Sequence, residues 1–236
     1  MKYKYIAMIP ARLGSKRVPK KNLRFLGDKP LVQYPIELSL QSGLFDSVWV
    51  NTESELLGNV AIKLGANFHK RPDELAGDKA TNREFTYEFL KKHECDYVVM
   101  VNTTSPLITQ ETLIGFVDYI EKNDFDTVLS VVSEKTECFY QGEPINFPLS
   151  EKINSQFLEP VDRTVWCITA WKRDSFIKFQ EMGKNPSFGG KIGRFNIPKD
   201  EASDIDTEED WKLAEGILAS RSVESIARYL SEDENE

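Results

Sequence analysis

Short apolar runs alternate with amphipathic stretches over the first 132 residues. Tyr5 to Ile9 (YIAMI), Val48 to Val50, Tyr97 to Val101 (YVVMV) and Thr127 to Val132 (TVLSVV) are almost wholly apolar. Such runs are the form of strands buried on both faces. Between them, Leu31 to Gln41, Glu53 to Leu64, Arg83 to Lys92 and Thr109 to Lys122 carry helical periodicity. Leu56, Val60 and Leu64 fall on one helical face, as do Leu113, Phe116, Val117 and Ile120. Pro35 lies inside the first of these patterns and fits only a helix that begins late. Strand–helix–strand alternation predicts right-handed crossovers and a mainly parallel, Rossmann-like α/β sheet with helices on both faces. The alternation breaks after Val132. Residues 134–162 are polar and turn-rich, and read equally as a loop insertion or a small β-extension that makes a partner surface. Val165 to Trp171 then reads as a strand, Arg194 to Ile197 as one more, and Thr207 to Ala219 as a closing helix. The expected organisation is one domain over residues 1–230 and an acidic, disordered tail over 231–236.

Composition narrows the function classes. A hydrophobic share of 40% supports a sizeable core. The net charge is −8, and four of the acids fall in residues 231–236. A chain this acidic is a poor candidate for nucleic-acid or membrane-surface binding. Cys95, Cys138 and Cys167 fit neither a disulfide framework nor a zinc spacing, which points to a reducing compartment. The opening apolar run of four residues before Pro10 is too short for a signal peptide, and no stretch is long enough to span a bilayer. The expectation is a soluble cytoplasmic protein.

The segment after the first strand concentrates the charge. Residues 12–24 carry six basic side chains (Arg12, Lys16, Arg17, Lys20, Lys21 and Arg24) and no acid. In an open α/β sheet ligands bind beyond the carboxyl ends of the strands. Small residues there (Ala11, Gly14, Ser15) let backbone N–H groups approach phosphate oxygens, while lysines and arginines offset their charge. The loop therefore suits a polyphosphate; a solvated basic loop is the alternative. The spacing matches neither a P-loop nor a dinucleotide fingerprint. Asp204 and Asp206 stand two apart, so in extended chain both carboxylates face one way and could share a hard cation. Alternatively, Asp206 caps the closing helix with Glu209 three residues on. Thr104 and Ser105 follow the YVVMV strand at a ligand edge, with Thr109 the better N-cap of the next helix. Arg71 reads as a substrate contact or a surface salt bridge, and Arg163 as a partner for a substrate carboxylate. His69 and His93 read as surface residues, Cys95 and Cys167 as core thiols.

The stretch Ile9-Pro-Ala-Arg-Leu-Gly-Ser-Lys-Arg-Val-Pro-Lys-Lys-Asn22 resembles the signature of the acylneuraminate cytidylyltransferases, which activate sialic, legionaminic and pseudaminic acids. Gly27 to Leu31, Ser42 to Asp46, Arg71 to Ala76 with Asp78, Thr104 to Leu107, and Asp204 to Trp211 match further segments in the same order. The resemblance implies the nucleotide-diphospho-sugar transferase fold with a small dimerisation extension. It also implies transfer of CMP from CTP to a nine-carbon sugar acid with release of pyrophosphate, Mg²⁺ as cofactor, and a homodimer. On it, Arg12, Lys16 and Lys21 contact the CTP phosphates, Ala11 and Asn22 help hold the nucleotide, and Asp204 and Asp206 serve the metal. Arg12, Lys21 and Asp206 are then the catalytic set, with Gly14, Ser15, Arg71, Asn102, Thr104 and Ser105 in the binding surface. Two positions depart from the pattern: Asn102 stands for the usual glutamine and Ile108 for an arginine. Both are expected on the sugar side, which leaves an eight-carbon sugar acid or a non-catalytic CTP-binding homologue as alternatives.

Overall fold

A computed structural model describes residues 1–223; the expected acidic tail lies outside the described residues. In chain order the elements are β1 (Tyr5–Pro10), β2 (Phe25–Leu26), β3 (Lys29–Pro30), α1 (Gln33–Ser42), β4 (Ser47–Thr52), α2 (Glu55–Lys63), β5 (Asn67–Lys70), α3 (Asn82–Lys92), β6 (Tyr97–Val101) and α4 (Gln110–Asn123). They continue as β7 (Thr127–Glu134), β8 (Phe139–Tyr140), β9 (Glu143–Pro144), β10 (Val161–Lys172), α5 (Arg173–Glu181), β11 (Ile192–Asn196) and α6 (Glu208–Ser220). Seven strands form one sheet in the order β11-β7-β10-β6-β1-β4-β5. All neighbours are parallel except β10, which runs antiparallel to both β6 and β7.

The two-residue period of β1 explains why helices cover both faces. Tyr5, Ala7 and Ile9 enter one core with Leu57 of α2 and Leu113, Phe116 and Ile120 of α4. Ile6 and Met8 point the other way, to Phe85 and Phe89 of α3 and Phe176 of α5. Truncating a fully buried aromatic such as Phe116 to alanine is expected to cost about 3–5 kcal/mol. Pro35 occupies the first turn of α1, so no interior hydrogen bond is lost. Thr109 caps α4, accepting from the Thr112 N–H at 3.2 Å.

Three expectations are corrected, and one strand is new. The closing helix is capped by Thr207, with Asp210 at its third position reaching back, and not by Asp206 with Glu209. The cap sits one residue later, which leaves the Asp206 carboxylate free for other partners. His69 is buried, not superficial. Its Nε2 lies 2.7 Å from Glu88 Oε2, and its Nδ1 lies 2.9 Å from Nε2 of the half-buried His93. Burial holds both imidazoles below their ordinary range, His93 at about 4. Ile108 belongs to the main core rather than to a sugar face. Finally, strand β5 (NFHK) is too polar to be read as a strand, yet it pairs in parallel with β4 at the sheet edge.

Candidate active site at the carboxyl ends of the strands

A third apolar cluster fixes the basic loop. Val18, Leu26 and Leu31 pack with Ile205, Trp211 and Ala214, so the loop after β1 is pinned to the start of α6. The Arg24 guanidinium lies 4.2 Å over the Trp211 ring. This packing brings the loop against the Asp204–Asp206 segment. Lys21 Nζ donates to the Ile205 carbonyl at 2.5 Å and to Asp206 Oδ1 at 3.0 Å. Arg17 reaches Asp206 Oδ2 at 2.7 Å. On the opposite side, Arg12 donates to Asp78 Oδ1 at 2.8 Å, and Lys16 pairs with Asp78 Oδ2. Four cations of one loop thus share two carboxylates. Their neighbourhood pulls the Asp78 carboxyl below its ordinary range, Lys16 first and Arg12 second.

These residues enclose a cleft of two adjoining lobes, about 270 and 290 Å³. Arg12, Lys21, Asn22, Asp78 and Asp206 line both. The outer lobe adds Ser15, Lys16 and Arg17. The inner lobe adds Arg71, Phe85, Asn102 and Thr104. Asn22 donates from Nδ2 to the Arg12 carbonyl at 2.8 Å, whereas its buried Oδ1 has no partner among the described residues. Such an orphaned acceptor in a cleft wall is suited to a ligand donor.

Arg71 is the most unusual cation. It is only 3% exposed, yet it makes no salt bridge to a described residue. Its Nε donates to Asn51 Oδ1 at 2.8 Å and its Nη2 to the Asn51 carbonyl at 2.6 Å, with the Phe85 ring 4.2 Å beneath. Burial pushes the guanidinium down to about 10, so it keeps its charge at neutral pH. A buried cation held only by an amide and a carbonyl is costly unless a ligand completes its shell.

Not every expected residue touches the cleft. Ala11 is buried and gives its N–H to the Asn51 carbonyl at 3.0 Å, bracing the loop. Ser105 is buried and donates to the Ser203 carbonyl at 2.7 Å, bracing the acid segment. Gly14 is exposed on the loop and lines neither lobe. Arg163 is exposed, 3.8 Å from Glu134, and lines neither lobe. Thr104 lines the inner lobe, and its carbonyl accepts from Ile205 N at 2.9 Å. Asp204, unlike Asp206, lines neither lobe; desolvation raises its carboxyl, the Thr104 hydroxyl opposes this, and the charge of Asp206 adds to it. Burial raises the thiols of Cys95 and Cys167, to about 12 and about 11, so neither is a nucleophile. Asn51, Asp78, Asn82 and Phe85 belong to the site although single-residue reading passes over them. Only Asp78 carried a signal, inside the Arg71–Asp78 segment.

Among the described residues no three His, Cys, Asp or Glu side chains are grouped to hold a metal. Asp204 and Asp206 nevertheless fit a hard divalent cation that takes one or two carboxylates and completes its shell with water and substrate phosphate. Asn102 closes the other end of the inner lobe. Its N–H donates to the Cys167 carbonyl at 3.1 Å and its Nδ2 to the Trp166 carbonyl at 2.6 Å. Trp166 has a φ of +53°, in the left-handed region, where a non-glycine residue costs roughly 1–2 kcal/mol. The β10 register with β7 breaks across the same residues, between Thr164 and Thr169.

An open α/β sheet with a cation-rich cleft at its strand ends defines a nucleotide- or polyphosphate-binding domain. Comparison with known proteins specifies the class. A family model described as "Cytidylyltransferase" matches residues 6–159, and the chain belongs to that family. It is 31% identical over 212 residues to N-acylneuraminate cytidylyltransferase A of Danio rerio, covering 89% of this chain and 49% of the relative. It is 29% identical over 229 residues to the CMP-N,N'-diacetyllegionaminic acid synthase of Legionella pneumophila, covering 90% of this chain and 95% of the relative. The chain thus spans about half the length of the first of these. In fold it is similar to a CMP:2-keto-3-deoxy-manno-octonic acid synthetase solved with CTP, at a TM-score of 0.71 and 18% identity, covering 92% of this chain and 99% of that one. Among the described residues no helix is long and apolar enough to cross a membrane.

Proposed function

We propose that the chain transfers CMP from CTP to a nine-carbon sugar acid of the sialic, legionaminic or pseudaminic type, releasing pyrophosphate. The observation that carries this is the imbalance in the cleft: Arg12, Lys16, Arg17 and Lys21 converge on only Asp78 and Asp206. A triphosphate supplies the missing negative charge. The outer lobe then takes the β- and γ-phosphates, and the inner lobe, with Arg71, Asn22 and Phe85, takes the nucleoside. Asn102, Thr104 and the acid pair lie where the α-phosphate meets the acceptor. The similarity to N-acylneuraminate and legionaminic acid enzymes supports the acceptor class.

Phosphoryl-type transfer asks the protein chiefly for positioning and charge neutralisation. The acceptor hydroxyl oxygen bonds to the α-phosphorus as the bond to the bridging oxygen of the β-phosphate breaks. Pyrophosphate leaves with that electron pair, and the hydroxyl proton passes to water. Arg12, Lys16 and Lys21 hold the departing oxygens. Asp204 and Asp206 would hold magnesium, which when bound polarises the phosphate and favours ionisation of the hydroxyl. Until substrate arrives, Lys21 and Arg17 neutralise Asp206 and so keep the acid pair from repelling itself apart.

The 134–162 excursion carries the short β8–β9 hairpin and exposed Phe139, Tyr140, Leu149 and Phe157, an apolar surface suited to a second copy of this chain. The activity is tested by pyrophosphate release from each nucleoside triphosphate against eight- and nine-carbon sugar acids. Turnover with CTP and a nine-carbon acid supports the reading; turnover only with an eight-carbon acid or another nucleotide contradicts it. Sedimentation of the wild type and of a Phe139→Glu/Tyr140→Glu variant tests the dimer, which the variant is expected to dissociate.

A further inference from the structure

One corner of the fold holds both halves of the cleft. At the end of β4 the Asn51 carbonyl accepts two donors, the Ala11 N–H at 3.0 Å and Arg71 Nη2 at 2.6 Å. The Asn51 amide oxygen takes Arg71 Nε at 2.8 Å, and its Nδ2 rests on Met8 Sδ at 3.4 Å, which turns Oδ1 toward the guanidinium. The Thr52 carbonyl accepts the Arg71 N–H at 2.9 Å. Next in the chain, Glu53 Oε1 accepts the Leu13 N–H at 2.8 Å, and the Glu53 carbonyl takes Lys70 Nζ at 2.6 Å. Three consecutive residues thus bind the basic loop on one side and the exit of β5 on the other. Neither Asn51 nor Glu53 lines either lobe, so each acts through the residue it holds.

The two contacts differ in chemistry. Asn51 is fully buried, and a carboxylate in its place would be the ordinary partner for a buried guanidinium. A neutral amide fixes the direction of Arg71 and leaves its positive charge uncompensated. The Glu53 carboxylate is instead turned to the backbone of the loop. Up to Leu13 that backbone is tied at three points: the Ala11 N–H, the Arg12 carbonyl, which accepts from Asn22 Nδ2 at 2.8 Å, and the Leu13 N–H. Beyond Leu13, the N–H groups of residues 14–17 donate to no described backbone carbonyl. The Leu13 bond is therefore the last hydrogen-bonded anchor before a stretch whose donors are available to phosphate oxygens.

Resting on the reading of the cleft given above, we propose that Asn51 and Glu53 are positioning residues that set the two ends of the nucleotide site from one corner: Asn51 aims Arg71 at the nucleoside without neutralising it, and Glu53 holds the phosphate loop through the Leu13 N–H. Titrations of CTP and of CMP into the full chain and four variants test this, with a melting curve for each protein. Glu53→Gln and Glu53→Ala both remove the charge, but only glutamine keeps an acceptor for Leu13. Glu53→Ala should bind CTP about fivefold or more weakly than Glu53→Gln does, with CMP differing by about twofold or less. Asn51→Ala should weaken CTP and CMP alike, by about tenfold, since both nucleotides share the part that Arg71 meets. Asn51→Asp gives Arg71 a carboxylate; it should melt above Asn51→Ala and still bind both nucleotides about fivefold more weakly than the wild type. Equal CTP binding by the two Glu53 variants, or a loss shared by CMP, overturns the loop anchor. Wild-type affinity for CMP in either Asn51 variant overturns the aiming of Arg71. A wild type that binds neither nucleotide overturns the reading of the cleft itself, and this inference with it.

Discussion

The two ends of the cleft are built in opposite ways. The phosphate end is a single contiguous loop, residues 10–22, whose cations are neighbours in sequence before they are neighbours in space. The end proposed for the acceptor is assembled at long range: Asn102 from just after β6, Trp166 from a break in β10, and Asn82 from the start of α3. The phosphate end presents formal charge, which acts over the whole anion and tolerates mobile side chains. The end proposed for the acceptor presents few charges on a rigid frame that includes a left-handed Trp166. Affinity for the nucleotide and choice of the sugar are therefore expected to fail separately under mutation.

The largest effect is expected where the two ends meet. Asp204→Asn combined with Asp206→Asn should lower turnover by about a thousandfold or more while the far-ultraviolet spectrum stays native, since two carboxylates that would hold the cation lose their charge together. Retained activity would remove the metal role from this pair. Next, Asn102→Ala removes the clamp on the Trp166 carbonyl, and should raise the acceptor KM by about tenfold while changing the CTP KM by about twofold or less. An equal loss for both substrates would erase the distinction between the ends. A smaller change is expected from Asp78→Asn. This frees Arg12 and Lys16 from a competing carboxylate and should tighten CTP by about two- to fivefold, the scale of an exposed ion pair. Isothermal titration reads it directly, and weaker binding would show that Asp78 serves the ligand rather than competing with it.

Outside the cleft, the buried His69–Glu88–His93 cluster supplies a control. Both folded-state histidines titrate below their unfolded value of about 6.5, so between that pH and about 4 the unfolded chain binds protons that the folded chain refuses. The cluster's contribution to stability is present above pH about 6.5 and is lost as pH falls. Urea melts from pH 7 to 5 should show a shallower decline for His93→Gln, whose amide can still donate to His69 Nδ1. An identical slope would place the acid sensitivity elsewhere.

This contrast also explains what could be read from sequence. Strands β1, β6 and β7 are apolar over most of their length because helices cover both their faces, so periodicity found them. The basic loop was legible because six like charges in 13 positions need a partner. Edge strand β5 was not legible, since its half-exposed residues lack the apolar signature. Nor were the histidines: His69 and His93 are 24 residues apart and meet, one buried and one half-buried, only in the folded chain. Arg71 read equally as a substrate contact or a surface salt bridge, and only the fold shows it buried on Asn51 without a carboxylate. Trp166 looked like one more apolar residue of a strand, because a register break leaves no composition behind.

The loop after β1 is proposed to grip the outer phosphates of CTP. It is tested most directly by titrating CTP and CMP into the wild type and into Lys21→Met, which keeps the buried stem and removes the charge. CTP affinity should fall by about tenfold or more while CMP affinity changes by about twofold or less. Equal losses for the two nucleotides, or none for either, would contradict it.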